Sequence, residues 1–231
     1  MKCKIEYLKK SNMFKHVKEK DIENILEICS FEEQKKGNFL FEEGVSCHWV
    51  YFVCEGRVKL LAHSSTGRDF ILKIVSTNDL LSDNNVLFDR IPECIYSAQA
   101  LEDSVLMKIR ANDFIALLDK HPEINRNYNA AIDIHLRDAY SSLKNMAFEK
   151  VERRIARHLI KFANNTGEQL KEGLKLGVKL SRQEMANLTG TTIETAIRVM
   201  SKFKKDKIIA EKGGYIYIKN KHGLVRLADD I

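Results

Sequence analysis

The chain has 231 residues and a mass of 26.6 kDa, room for one large domain or two of ordinary size. Hydrophobic residues make up 44% and charged residues 30%, enough apolar material for a core, which excludes a disordered polymer. No apolar run approaches the roughly 18 residues of a membrane span, and no apolar segment follows Met1-Lys2-Cys3-Lys4, so a cytoplasmic protein is expected rather than a secreted or membrane-spanning one.

Five cysteines, Cys3, Cys29, Cys47, Cys54 and Cys94, are odd in number and scattered, a usage that predicts reduced thiols. The formal charge of +6 is unevenly placed. Residues 151–231 hold 17 Lys and Arg against 9 Asp and Glu, a net of +8, whereas residues 1–150 carry −2. A concentrated basic region points to a polyanion, nucleic acid being the commonest, although a solvated basic surface gives the same count.

In chain order, residues 13–29 read as a short amphipathic helix, with Ile22, Ile25, Leu26 and Cys29 at helical spacing. The texture then changes to short strands between breakers over 31–109. Gly37, Gly44, Gly56 and Gly67 separate apolar runs at 39–41, 49–53, 58–61 and 70–75, and further strands are expected at 95–100 and 105–109. Such spacing predicts an antiparallel sandwich or barrel. Beyond Asn112 the helical period returns and lasts to about residue 165. Within it Ile132, Leu136, Ala139, Leu143 and Met146 form a seam spaced 4, 3, 4, 3, as in a helix packing lengthwise on another helix. A contact with the β domain would also satisfy an apolar face. A long helix between two domains has two surfaces to cover, which favours a dimer seam.

The C-terminal segment carries the most specific pattern. Residues 180–188 read as a short helix with Ser181 as N-cap and Glu184 completing a capping box. Thr189-Gly190-Thr191 breaks it, and a second helix starts near Thr192 and runs to Lys204. Ala186 is small where two helices must approach, Gly190 follows at the turn, and Val199 is apolar where the second helix faces inward, an order that predicts a helix-turn-helix. Two short strands around Lys212-Gly213-Gly214 predict a hairpin, hence a winged helix whose second helix enters the DNA major groove. Glu194 and Arg198, four residues apart, share one helical face. They can read cytosine N4 and guanine O6/N7, or pair with each other. Ser181, Arg182, Thr191, Thr192 and Lys202 suit phosphate contacts, and Gln183 and Ile193 complete the expected DNA surface.

On these residues the chain resembles the cyclic-AMP receptor/fumarate-nitrate-reduction regulator (CRP/FNR) superfamily of bacterial transcription factors. In the β domain the resemblance rests on Lys36-Gly37-Asn38-Phe39-Leu40-Phe41-Glu42-Glu43-Gly44 and Tyr51-Phe52-Val53-Cys54-Glu55-Gly56-Arg57-Val58. In the C-terminal domain it rests on Arg182-Gln183-Glu184 and Gly190-Thr191-Thr192-Ile193-Glu194-Thr195-Ala196-Ile197-Arg198. Residues 97–102 and 213–216 are similar to the FNR side. The resemblance implies an α+β chain in three parts. These are an effector-sensing, cyclic-nucleotide-binding-like double-stranded β-helix (a jelly roll) at 1–121, a dimerisation helix at 122–150 and a winged helix-turn-helix at 151–231. It further implies a homodimer on a palindromic double-stranded DNA operator, RNA polymerase as a further partner, and Glu194 and Arg198 as readers of a TGA-type half-site core. Ile197 stands where the FNR type has serine and the CRP type glycine.

The departures bear on the effector. The cyclic-AMP branch holds the cyclic phosphate with an arginine. Residues 80–85 and 93–95 offer none, so cyclic AMP is not expected. An iron–sulfur cluster needs several N-terminal cysteines, and only Cys3 precedes Cys29. Members lacking both sites, the DNR- and HcpR-like regulators, respond to nitric oxide, in studied cases through haem. His48, His63, His135 and Met146 are the candidate axial ligands here, and Cys47, Cys54 and Cys94 are candidate oxidation sensors. A cyclic-nucleotide regulatory module lacks the wing, and an enzyme on a cupin-like roll would need an His-x-His pair that is absent. Nor is there a Walker loop, nucleophile elbow or carboxylate pair; a resident metal and catalysis are not expected.

Overall fold

A computed structural model describes residues 2–81 and 93–229 of the chain. It divides into two compact units, Met1–Ala139 and Tyr140–Ile231. The long helix expected at 122–150 is present as α4 (Pro122–Phe148), so the division falls inside that helix rather than at either of its ends.

The first unit opens with α1 (Lys2–Lys10), a 3-10 turn at Asn12–Phe14 and α2 (Glu19–Glu27). The single helix expected over 13–29 is therefore broken. Lys15 is extended and His16 takes a φ of 71°, which ends the first turn, and Cys29 already belongs to a strand. The strands are β1 (Cys29–Gln34), β2 (Phe39–Phe41), β3 (Trp49–Glu55), β4 (Arg57–His63), β5 (Asp69–Ser76), β6 (Leu80–Leu81), β7 (Ser97–Ala100) and β8 (Ser104–Arg110). They form two antiparallel sheets, ordered β1-β8-β3-β6 and β2-β7-β4-β5, packed face to face as the expected roll. β1 and β6 escaped the sequence reading because one is mostly polar and the other two residues long.

Strand β3 explains why 49–53 is continuously apolar. Val50, Phe52 and Cys54 face the helices, with Phe14, Ile22, Ile25, Phe114 and Leu117 against them. Tyr51 and Val53 face the roll interior with Val58, Leu60, Val75, Tyr96 and Ala98. A strand covered on both sides loses the polar alternation of a half-solvated one. Phe114 is fully buried on α3 (Ala111–Lys120), so truncating it to alanine would cost about 3–5 kcal/mol. The four turn glycines expected in this region all have positive φ, and at Gly56 an added Cβ would lie 2.6 Å from the Asp103 carbonyl oxygen.

The cysteine expectation needs correction. Cys47 and Cys94 are joined as a disulfide, with Cα atoms 5.5 Å apart, while Cys29 and Cys54 are free. Sequence spacing could not indicate this, because antiparallel crossing of the chain brings together residues 47 apart.

The second unit contains α5 (Val151–Thr166), β9 (Glu168–Leu170), β10 (Gly173–Lys175), α6 (Arg182–Thr189), α7 (Ile193–Lys205), β11 (Ile209–Lys212), β12 (Tyr215–Ile218) and α8 (Lys221–Ala228). The expected hairpin is β11–β12, extended by β10 and β9 into a four-stranded sheet. Its Gly213-Gly214 loop has φ of 60° and 80°, the positive pair a two-residue hairpin turn requires. Ile155, Leu159, Ala186, Ala196, Met200, Phe203 and Leu224 are fully or nearly fully buried, and α5 packs on α6, α7 and α8. None of the helices among the described residues is long and apolar enough to cross a membrane.

Candidate nucleic-acid interface

The α6–α7 pair is fixed by local caps. Ser181 Oγ accepts from the Glu184 amide at 3.1 Å, and the Glu184 carboxylate accepts from the Ser181 amide at 2.8 Å, the expected capping box. Gly190 takes the left-handed conformation (φ 59°, ψ 46°) and, with Thr191, donates its amide to the Ala186 carbonyl, closing α6. Thr192 then caps α7, its hydroxyl accepting from the Thr195 amide at 3.3 Å. Ala186 is fully buried at the helix approach.

Helix α7 buries Ala196, Val199, Met200 and Phe203 at the 3.6-residue period, leaving Glu194, Ile197 and Arg198 exposed. Bonds to its own amide and to the Thr192 hydroxyl hold the Glu194 carboxyl below the usual carboxylate range. Arg198 makes no hydrogen bond or ion pair among the described residues, and the intrahelical Glu194–Arg198 pair is not formed. An acceptor and a guanidinium therefore stand side by side at the start of α7, one ionised and the other uncommitted.

The other expected contacts divide. Ser181 and Thr192 are exposed, and Thr191 and Ile193 half-buried. Gln183 donates to the Asn187 side chain at 2.7 Å. Arg182 and Lys202, expected on phosphate, are engaged within the unit. Arg182 pairs with Glu211 on β11, and Lys202 with Glu152 on α5 at 2.8 Å. Burial pushes the Glu211 carboxyl up, but Arg182 and Lys204 outweigh it and hold it below its ordinary value. These two cations therefore tie the wing and α5 to the helix pair. Sequence reading missed the wing tip, where Lys175 and Lys179 lie 4.2 and 4.7 Å from the centre of the Tyr215 ring. No local signal marked this contact, because Lys175 and Lys179 lie far from Tyr215 in sequence.

Helix α4 divides the expected seam residues between two environments. Ile124 and Tyr128 are buried, and Ile132 packs against the first unit's core, so Ile132 belongs to the intrachain face. Leu136, Leu143 and Met146 are 49%, 65% and 40% exposed, Ala139 is exposed beside them, and Tyr140 joins them at 64%. Among the described residues nothing covers this apolar face.

The effector candidates are not gathered. His63 has both ring nitrogens engaged, Nδ1 2.8 Å from Asp69 Oδ1 and Nε2 3.0 Å from Ser97 Oγ. His135 Nε2 lies 3.7 Å from Asp79 Oδ1. Burial raises the Asp79 carboxyl, but His135 and Lys73 prevail and lower it. His48 is exposed, and Met146 lies on α4. Phe41, Tyr51 and Tyr96 stack inside the roll, ring centres 5.8 and 6.1 Å apart. Of the presumed phosphate cassette, residues 82–85 lie outside the described residues. Among the described residues no three His, Cys, Asp or Glu side chains are grouped to hold a metal ion.

Comparison with known proteins matches residues 31–121 to the cyclic nucleotide-binding domain and residues 153–227 to the Crp-like helix-turn-helix domain. The chain belongs to the CRP/FNR family of DNA-binding transcription regulators. Its curated relatives include the Anaerobic regulatory protein of Bacillus subtilis, 23% identical over 82% of this chain and 80% of that protein. The Cyclic AMP receptor protein of Thermus thermophilus is 24% identical over 92% and 94%. Among solved structures, FixK2 from Bradyrhizobium japonicum superposes with a TM-score of 0.78 at 19% identity, covering 88% of this chain and 99% of that one. This CRP/FNR regulator thus resembles transcription regulators, not enzymes, along nearly its whole length.

Proposed function

We propose that this regulator works as a homodimer on a palindromic operator with a TGA-type core, Glu194 and Arg198 reading base edges, under control of an effector sensed in the β roll. The carrying observation is the uncommitted Arg198 guanidinium beside an ionised Glu194 on a doubly capped helix. Two recognition helices related by a dyad would meet half-sites one DNA turn apart. The partner on α4 is a second copy of the chain, supported by the 3.5-residue period of the exposed Leu136, Ala139, Leu143 and Met146, which suits a parallel helix of identical sequence. RNA polymerase is the further partner through which operator binding acts on transcription.

Replacing Arg198 with alanine should cost roughly 1–3 kcal/mol of discrimination between operator and base-substituted operator, measured by fluorescence anisotropy at fixed salt. Equal weakening on specific and random duplexes would remove the base-reading role.

For the effector, the packed aromatic interior and the absence of an arginine among residues 93–95 support a ligand other than cyclic AMP. Relatives named fumarate and nitrate reduction regulatory proteins support the FNR side of the family, on which the DNR- and HcpR-like members sense nitric oxide. The residues present do not fit haem: both His63 nitrogens are bonded, His135 Nε2 faces Asp79, His48 is exposed and Met146 lies on α4, so no haem step is assigned to them. A Soret band appearing on haem addition and shifting with nitric oxide would reverse that judgement.

A further inference from the structure

Cys47 and Cys94 are both buried, at 6% and 3% exposure, and come from irregular segments rather than strands. Val45, Ser46, His48, Glu93 and Ile95 around them are exposed, so the pair lies one residue beneath the surface. The Gly44 amide donates to the Cys94 carbonyl at 2.8 Å, and the Cys94 amide to the Val45 carbonyl at 2.7 Å. The Glu43 amide donates to the Ser97 hydroxyl at 2.9 Å. One residue beyond Cys47, the His48 carbonyl accepts from the Ala111 amide at 3.0 Å. Ala111 is the first residue of α3, where Arg110 supplies no side-chain cap, so this bond satisfies one of the helix's unpaired amides. Helix α3 leads through His121 into α4.

The free thiols Cys29 and Cys54 are unsuited to exchange, since burial pushes both up to about 12 and keeps them protonated. We propose that Cys47 and Cys94 form a thiol–disulfide exchange centre whose state sets how firmly the 43–48 segment holds the N-terminus of α3. The co-reactant is a small or protein thiol, RSH. Two RSH supply two electrons and two protons, the Cys47–Cys94 bond breaks through a mixed disulfide, RS–SR forms, and both cysteines leave as thiols; the reverse reaction restores the link. Local opening of the thinly covered segment admits the attacking thiolate. In the oxidised state the segment is clamped and the His48 carbonyl stays on Ala111. In the reduced state the covalent link is gone, and the backbone bonds and the Ser97 hydroxyl still hold it. The inference rests on reading the roll as the sensing part of the regulator, and it names the chemistry sensed.

The test uses the full chain equilibrated with oxidised or reduced dithiothreitol. Alkylation under denaturing conditions followed by peptide mass analysis should find two additional labelled thiols in the reduced protein, at Cys47 and Cys94. Native amide hydrogen exchange should then be about fivefold faster or more at the start of α3 in the reduced protein. The double variant Cys47→Ser/Cys94→Ser should match the reduced pattern in both buffers. An unchanged thiol count, or a changed count with unchanged exchange at α3, overturns the proposal. Operator affinity measured alongside is an independent readout. A difference of about fivefold or more between the two states extends the switch to DNA. Loss of binding in both states counts against the operator reading alone, because the thiol and exchange results do not depend on it.

Discussion

In Tyr140–Ile231 the side chains proposed to act stand free on a rigid frame, whereas in Met1–Ala139 the reactive groups are nearly all satisfied by neighbours. Among the described residues Arg198 has no partner and Glu194 bonds only its own first turn, while capped helix ends and the Arg182–Glu211 pair hold the frame. In the roll, His63 is bonded on both sides, His135 faces Asp79, Cys29 is a half-buried and Cys54 a buried thiol, and Cys47 is linked to Cys94. A surface that meets a rigid duplex gains from side chains already placed and unpaired. A sensing domain can keep its reactive groups closed until chemistry opens them.

Leu143→Glu would test this contrast most severely. Leu143 is 65% exposed, so the chain should fold normally. Facing a second α4, however, the buried carboxylate should cost roughly 3–5 kcal/mol and weaken the dimer at least about a hundredfold. Sedimentation velocity measures it, and undiminished association would separate the seam from dimerisation. The Arg198→Ala effect on discrimination is next in size.

Within the second unit itself, His158 sharpens the picture. Burial, with Lys161 and Arg154 nearby, lowers its pKa from 6.5 to about 4, so it is neutral when folded at pH 7. Between those values only the unfolded chain takes up the proton. Stability is therefore full above about pH 6.5 and declines as pH falls towards 4, by roughly 1–2 kcal/mol for this half-buried ring. Urea unfolding at pH 7 and pH 5 measures the loss, and His158→Gln should flatten it. The smallest effect is expected of Ser181→Ala, about 1 kcal/mol of stability from the lost cap, seen in thermal melts with operator preference unchanged.

Local rules made the second unit legible. A capping box spans four residues, a left-handed glycine one and helix α7 thirteen, so each can be read along the chain without knowing what lies opposite. The roll's strands were visible in their glycine punctuation, but β1 and β6 take their place from pairing with β8 and β3, a relation no short window holds. Arg182 and Lys202 look like phosphate ligands in sequence, because their acidic partners lie 29 and 50 residues away.

Sequence by itself determined the class of this protein: the order of β region, long helix, turn-linked helix pair and Gly-Gly hairpin. Only the tertiary structure decided which charges remain uncommitted, which face of α4 is left bare, and that Cys47 finds Cys94. The physical reason is range. Periodicity, caps and turn glycines act over a few residues, whereas ion pairs, disulfides and packed faces depend on segments that chain folding brings together from far apart.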